Sequence, residues 1–223
     1  MLPIYLFIIM MIRIFLINFF LLVSSFLYSQ NVDYQIWNRV ELNYQIAKKN
    51  TFSFQKGFRL GNDVSMIRRS FYDFHIKSRH TKVFSHSIGY RYLLYRDFND
   101  PEREQNHRFY FDVFFKKKLS KRIDVVSRSR WQKQMSVVKR ENKMRQKIKL
   151  IVNPKKKDFN IVLSVESFSI INKGLEKIRS GIGVSKKLSK KLGFNINCLI
   201  QRELNRDNPD MFYILRTKIS YNL

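Results

Sequence analysis

Apolar and polar residues alternate with a period of two from Asp33 to the last residue, and no segment holds the 3.6-residue apolar stripe of a helix. That pattern restricts the chain to strands with two chemically different faces, so the fold class is all-β. Phe52, Phe54, Phe58 and Leu60 share one parity, while Thr51, Ser53, Gln55, Gly57 and Arg59 share the other. Phe109, Phe111, Val113 and Phe115 oppose Arg108, Tyr110, Asp112 and Lys116 in the same way. Phe159, Ile161, Leu163 and Val165 alternate with Asn160, Ser164 and Glu166. Leu192, Phe194, Ile196, Cys198 and Ile200 alternate with Gly193, Asn195, Asn197 and Gln201.

About eleven such segments can be marked, near residues 33–46, 50–60, 67–78, 83–96, 106–118, 122–134, 143–153, 158–170, 175–188, 191–204 and 211–223. Tight basic turns (Lys48-Lys49-Asn50, His80-Thr81-Lys82, Lys155-Lys156-Lys157 and 186–191) alternate with longer polar loops (61–66, 97–105, 134–142 and 205–210). Short turns at one end and longer loops at the other describe a closed antiparallel up-and-down transmembrane β-barrel, with the short turns on the periplasmic side. Single-chain bacterial barrels have an even number of strands. The rule argues for ten or twelve, with one segment missed or merged or with the N-terminal one passing through the lumen, so the expected barrel has about ten to twelve strands.

Period alone does not say which face meets solvent: a soluble, exported lipocalin-like β-barrel binding an anionic or lipidic ligand would turn the phenylalanines inward. Strand number and length, export, and the last strand favour the membrane. In that strand Tyr213, Leu215, Thr217, Ile219, Tyr221 and Leu223 form an alternating, mostly apolar row that reaches the end of the chain.

Export is read from residues 1–29, which are mostly apolar and end in Tyr28-Ser29 before polar sequence from Gln30. Met11 offers an alternative start, with Arg13 as the positive n-region and Ile14 to Val23 as the apolar core. A retained transmembrane helix is the competing reading of this segment. The barrel domain is then residues 30–223, and the expected location is the bacterial outer membrane. Cys198 is the single cysteine, so an intrachain disulfide, a Cys-based zinc site and a lipid anchor near the cleavage point are not expected.

Several short motifs recur at recognisable spacing: Trp37 in the first segment, Gly89-Tyr90-Arg91-Tyr92 in the fourth, His107-Arg108 opening the fifth and Arg128-Ser129-Arg130-Trp131-Gln132 in the sixth. Glu166-Ser167-Phe168 follows in the eighth and Arg179-Ser180-Gly181 in the ninth. In their order and spacing the chain resembles the family of uncharacterised outer-membrane proteins, common in Bacteroidetes, catalogued as domain of unknown function 2490. The resemblance covers essentially all of the mature chain. It implies export and a β-barrel, and brings no substrate or catalytic residue.

The chain carries 43 Lys+Arg against 17 Asp+Glu, and only Arg13 of these lies in residues 1–29, so the basicity belongs to the exported domain. If the apolar row faces lipid, the charged parity lines the lumen. Arg91, Arg108, Asp112, Arg128, Arg130, Glu166 and Arg179 are the candidate site residues, with Arg39, Glu41, Arg59, Arg69, Asp73, Lys77, Arg145, Lys147, Glu203 and Arg216 on the same parity. Two readings compete: a network of Arg–carboxylate pairs that fills a narrow barrel, or a positively lined passage that attracts small anionic solutes. The Lys-rich turns are solvated loops or contacts to phospholipid head groups.

An enzyme, such as an outer-membrane lipid-modifying one, is not favoured. His75, His80, His86 and His107 have no neighbouring Ser-containing motif of recognisable geometry, and Asp112 and Glu166 have Arg candidates as partners that would lock them as carboxylates. No metal-ligand cluster or phosphate-binding glycine loop is present, and no cofactor is expected. Export argues against nucleic acid as the basic chain's partner. The expected partners are outer-membrane lipid, the barrel assembly machinery during biogenesis and a small anionic solute.

Overall fold

A computed structural model describes residues 32–96, 103–136, 140–155, 158–205 and 209–223. Residues 1–31, which include the segment expected to be a leader, and residues 97–102, 137–139, 156–157 and 206–208 lie outside the described residues. Eleven strands follow in order: β1 (Val32–Ala47), β2 (Asn50–Gly61), β3 (Met66–Arg79), β4 (Phe84–Arg96), β5 (Arg103–Ser120), β6 (Ile123–Ser136), β7 (Arg140–Val152), β8 (Phe159–Ile170), β9 (Gly174–Lys187), β10 (Leu192–Glu203) and β11 (Met211–Asn222). No strand end departs from its sequence-based position by more than three residues. Consecutive strands pair antiparallel, and the sheet closes on itself.

The barrel has eleven strands, as many as the segments marked in the sequence and within the expected ten to twelve; the even-number rule does not hold here, and β1 pairs with β11 in parallel. In an up-and-down sheet with an odd number of strands, the first and the last run the same way. The only ladder that can satisfy both free edges is then a parallel one. Its register runs from Val32↔Met211 through Trp37↔Arg216 to Asn43↔Asn222. On the outer side of this seam Thr217 donates a hydrogen bond to Asn38, which pairs two polar side chains that would otherwise face outward unsatisfied. Neither a merged strand nor a segment threading the lumen is needed.

The faces divide as the alternation requires. Phe109, Phe111, Phe115, Ile88, Ile148 and Val165 are exposed on the outer face, whereas the deepest buried positions are Leu93, Asp73, Asp112, Glu166 and Ser87 on the inner one. Four glycines on the inner face admit a neighbour's side chain against the wall. A Cβ at Gly57 would stand 2.6 Å from the Phe71 ring, one at Gly89 2.3 Å from Tyr110, one at Gly181 2.3 Å from Leu199 and one at Gly183 2.6 Å from Asn197. Each pair is also a cross-strand register pair. Gly89→Val therefore forces Tyr110 out of its seat beside Asp73. We expect a loss of about 1–3 kcal/mol from overpacking, read as an earlier urea midpoint for the detergent-folded barrel.

Candidate functional site

Register, more than any single strand, builds the interior. One inward row crosses Asp112, Arg130 and Arg145 on β5, β6 and β7. The next crosses Arg128, Lys147, Glu166, Arg179 and Gln201 on β6 to β10. Three of the four carboxylates discussed here are closed by guanidinium groups, the planar fork that suits them best. Asp73 accepts from Arg91 Nε at 2.6 Å and from the Tyr110 hydroxyl at 2.8 Å, with His75 Nδ1 at 3.1 Å. Asp112 takes Arg130 in bidentate fashion at 2.7 and 2.6 Å, and Ser87 at 3.3 Å.

Glu166 is the hub. Its Oε1 accepts from Arg128 at 2.5 Å and from Arg145 at 2.6 Å, and its Oε2 lies 3.4 Å from Lys147 and 3.5 Å from Arg179. Four cations thus share one carboxylate, which is 1% exposed. Glu41 holds Lys218 and accepts from Gln55 at 2.5 Å.

Of the seven residues singled out in the sequence, six join these networks: Arg91, Asp112, Arg128, Arg130, Glu166 and Arg179. Arg108 faces the lumen too, but its partner is neutral, the Gln134 carbonyl oxygen at 2.6 Å. It stands opposite Arg91 in the ladder, and the two like charges turn to different partners.

The interior is not filled. A cavity of about 620 Å³ occupies the end that carries the C-terminus. Its wall holds thirteen Lys and Arg side chains against four Asp and Glu. A second cavity of about 380 Å³ lies toward the other end. Trp37, Arg59, Arg145 and Arg179 line both and form the waist between them. Trp37 is clasped there, with the Arg59 guanidinium 3.8 Å and that of Arg179 4.6 Å from its ring centre. Phe168 offers its ring to Arg145 at 4.5 Å and to Arg179 at 4.7 Å, Phe71 to Arg91 at 4.4 Å, and Tyr110 to Arg130 at 3.7 Å. Cation–π contact supplies part of what a carboxylate would. Among the described residues no group of three or more His, Cys, Asp or Glu side chains is placed to hold a metal ion.

A family model described as "Protein of unknown function (DUF2490)" matches residues 34–212, from Tyr34 in β1 to Phe212 in β11. The chain belongs to that family. No curated protein and no solved structure matches the chain. All seven of the residues above fall inside the matched span, whereas Lys218, the partner of Glu41, lies beyond it.

Sequence parity placed the charges and set Tyr110 on the same face, and Trp37 and Phe168 were in recognised motifs, but it did not single out Phe71, Tyr110 and Phe168 as an interior aromatic layer. The signal is visible afterwards. Phe71 stands between Arg69 and Asp73, and Tyr110 between Arg108 and Asp112, each an aromatic on the charged parity. Each also faces a strand glycine in the ladder, Gly57 and Gly89, where close approach of a neighbour is the usual reason for a missing side chain.

Proposed function

We propose that this family member is an outer-membrane barrel, of structural or passive-transport type, whose basic interior accepts small anions. The observation that carries the reading is the inside-out distribution of side chains. Large apolar residues are exposed on the outer wall of the strands, while Asp, Glu, Arg and Gln are buried in the middle. In water such a surface would be a patch far larger than soluble monomers tolerate. In a bilayer it is the required one.

The spacing of outward tyrosines supports the same view. Tyr34 and Tyr44 mark the two ends of the β1 outer row, ten residues apart. They are thus about 33 Å apart along a strand, or about 25 Å along the normal at the tilt of such barrels. Tyr34 stacks on Tyr213 of β11 at 5.6 Å, in the manner of an interfacial girdle.

Ile148 and Val165 face each other across β7 and β8 and are 59% and 56% exposed. Ile148→Arg tests the assignment. In lipid it should cost up to about 2–4 kcal/mol near the midplane, seen as a lower yield of the heat-resistant folded band on unheated electrophoresis. An unchanged yield, together with folding in the absence of detergent, would return the barrel to the soluble class.

The cationic excess around the large cavity supports the anion preference, because a pore lined by Arg and Lys favours anions. The C-terminal end, where the cavity opens near Arg79, Asn222 and Leu223, also carries the basic turns at Lys48-Lys49, Lys121-Arg122 and Lys190-Lys191. Together they form a field that draws anions inward.

A further inference from the structure

The large cavity holds more positive charge than its carboxylates can balance, and the surplus is localised. Asp73, Asp112, Glu166 and Glu41 are each already engaged by Arg or Lys. Six cations on its wall have no side-chain carboxylate within ion-pair distance among the described residues; of these Arg59 lies over the Trp37 ring, Lys77 over the Phe114 ring and Arg79 is exposed at the mouth, which leaves Arg39 on β1, Lys149 on β7 and Arg216 on β11. Arg39 gives one hydrogen bond, to the Gln55 carbonyl oxygen at 3.3 Å, and its Nε has none.

Arg39 and Arg216 stand on the adjacent strands β1 and β11, Lys149 stands on β7 at the far side of the wall, and all three line the same cavity. The charges acting most strongly on Lys149 are Arg128, Arg216, Lys218 and Arg39, all positive. Those acting on Arg216 are Arg39, Arg179, Glu166 and Arg128, so the shared hub is its one negative neighbour among them. Exposed lysines at turns shed such repulsion into water. Here the groups are held within a cavity of about 620 Å³ by strands that cannot separate. Glu41 acts on Arg39 as Glu166 does on Arg216, but both carboxylates are shared with other cations, and a cationic excess held in a buried space is costly to fold and is relieved by an anion of two or more charges that bridges it.

We propose that Arg39, Lys149 and Arg216 form a binding site for a phosphoryl group, entered from the end of the barrel that carries the C-terminus. The three donors are of the two types that hold phosphate: planar guanidinium forks for bidentate contact, and an ammonium as a point charge. The phosphoryl group is that of a soluble phosphate compound or of a lipid head group at the cavity mouth. The site rests on the anion-accepting reading above and names its ligand class.

The test uses the full mature barrel, folded in a phosphate-free maltoside detergent, with binding followed by calorimetry and by the temperature at which the folded band is lost. The probes are inorganic phosphate, glycerol 3-phosphate, and micelles doped with phosphatidylglycerol. Binding of either free probe identifies a soluble source, and binding only to doped micelles identifies the lipid. Lys149→Met and Arg216→Met should each weaken the bound probe roughly tenfold or more, the effect of one charge-assisted contact. The same variants should raise the melting temperature of the empty barrel, because they remove repulsion. Lys173→Gln, in the exposed turn between β8 and β9 at the opposite end of the barrel, should change neither.

No binding of any probe by the folded wild type, or undiminished binding by both Met variants, would overturn the site. That failure is separable from failure of the broader reading. An anion-selective barrel that ignores phosphate loses only the site, whereas a cation-selective one loses the anion-accepting interior itself.

Discussion

Glu166→Gln should leave the barrel largely unfolded in detergent, the largest effect of any single substitution in the interior. The carboxylate is shared by Arg128, Arg145, Lys147 and Arg179, and removing its charge leaves four cations facing one another in a buried space. Breaking a buried pair from one side costs about 3–5 kcal/mol, and here one acid serves four partners. The change keeps the shape of the side chain, so lost packing does not contribute. Restoring balance should restore folding: Glu166→Gln combined with Arg179→Met recovers part of the heat-resistant band. A single Glu166→Gln variant with wild-type stability would mean that the hub is not a charge centre.

Trp37→Ala should open the waist. The indole is 7% exposed and fills the gap between the two cavities, clasped by Arg59 and Arg179. Its removal costs about 3–5 kcal/mol as a large-to-small core change and at the same time joins a cavity of about 620 Å³ to one of about 380 Å³. In planar bilayers the wild type should show low conductance and the variant clear, larger, anion-selective steps. Preparations are compared after heat-modifiability has shown that the variant is folded. A folded Trp37→Ala barrel as silent as the wild type would place the barrier elsewhere.

Much of this architecture could be read before any coordinates. The period-two rows around Phe52–Leu60 and Phe109–Phe115 located their strands and their outward faces, because a strand with one apolar and one polar face has no other periodicity available. The charged parity likewise brought Arg91, Asp112, Arg128, Arg130, Glu166 and Arg179 to one interior. Closure was not legible. The even-strand rule pointed to ten or twelve, whereas the ladder Trp37↔Arg216 joins residues at the two ends of the described barrel and is fixed by register, which alternation does not encode.

Pairing was equally hidden. That Glu166 would lie between Lys147 and Arg179, or that Arg108 would find Gln134 instead of an acid, follows from which residue stands opposite which on the next strand. Tyr110 was set on the charged parity, but Phe71 was not read as inward, because an aromatic residue on its own reads as outward-facing. Only its parity against flanking charges, and the glycine opposite it, mark Phe71 or Tyr110 as inward.

The most direct test of the inside-out arrangement uses the two tryptophans, the only ones in the chain. Trp131 is 43% exposed on the outer wall of β6, and Trp37 is buried in the waist. Trp37→Phe and Trp131→Phe each leave one reporter, and both barrels are folded into bilayers containing lipids brominated along the acyl chain. The account predicts strong quenching of Trp131 and little or none of Trp37. Quenching of Trp37 with Trp131 untouched, or of neither, would contradict a barrel with lipid outside and charge within.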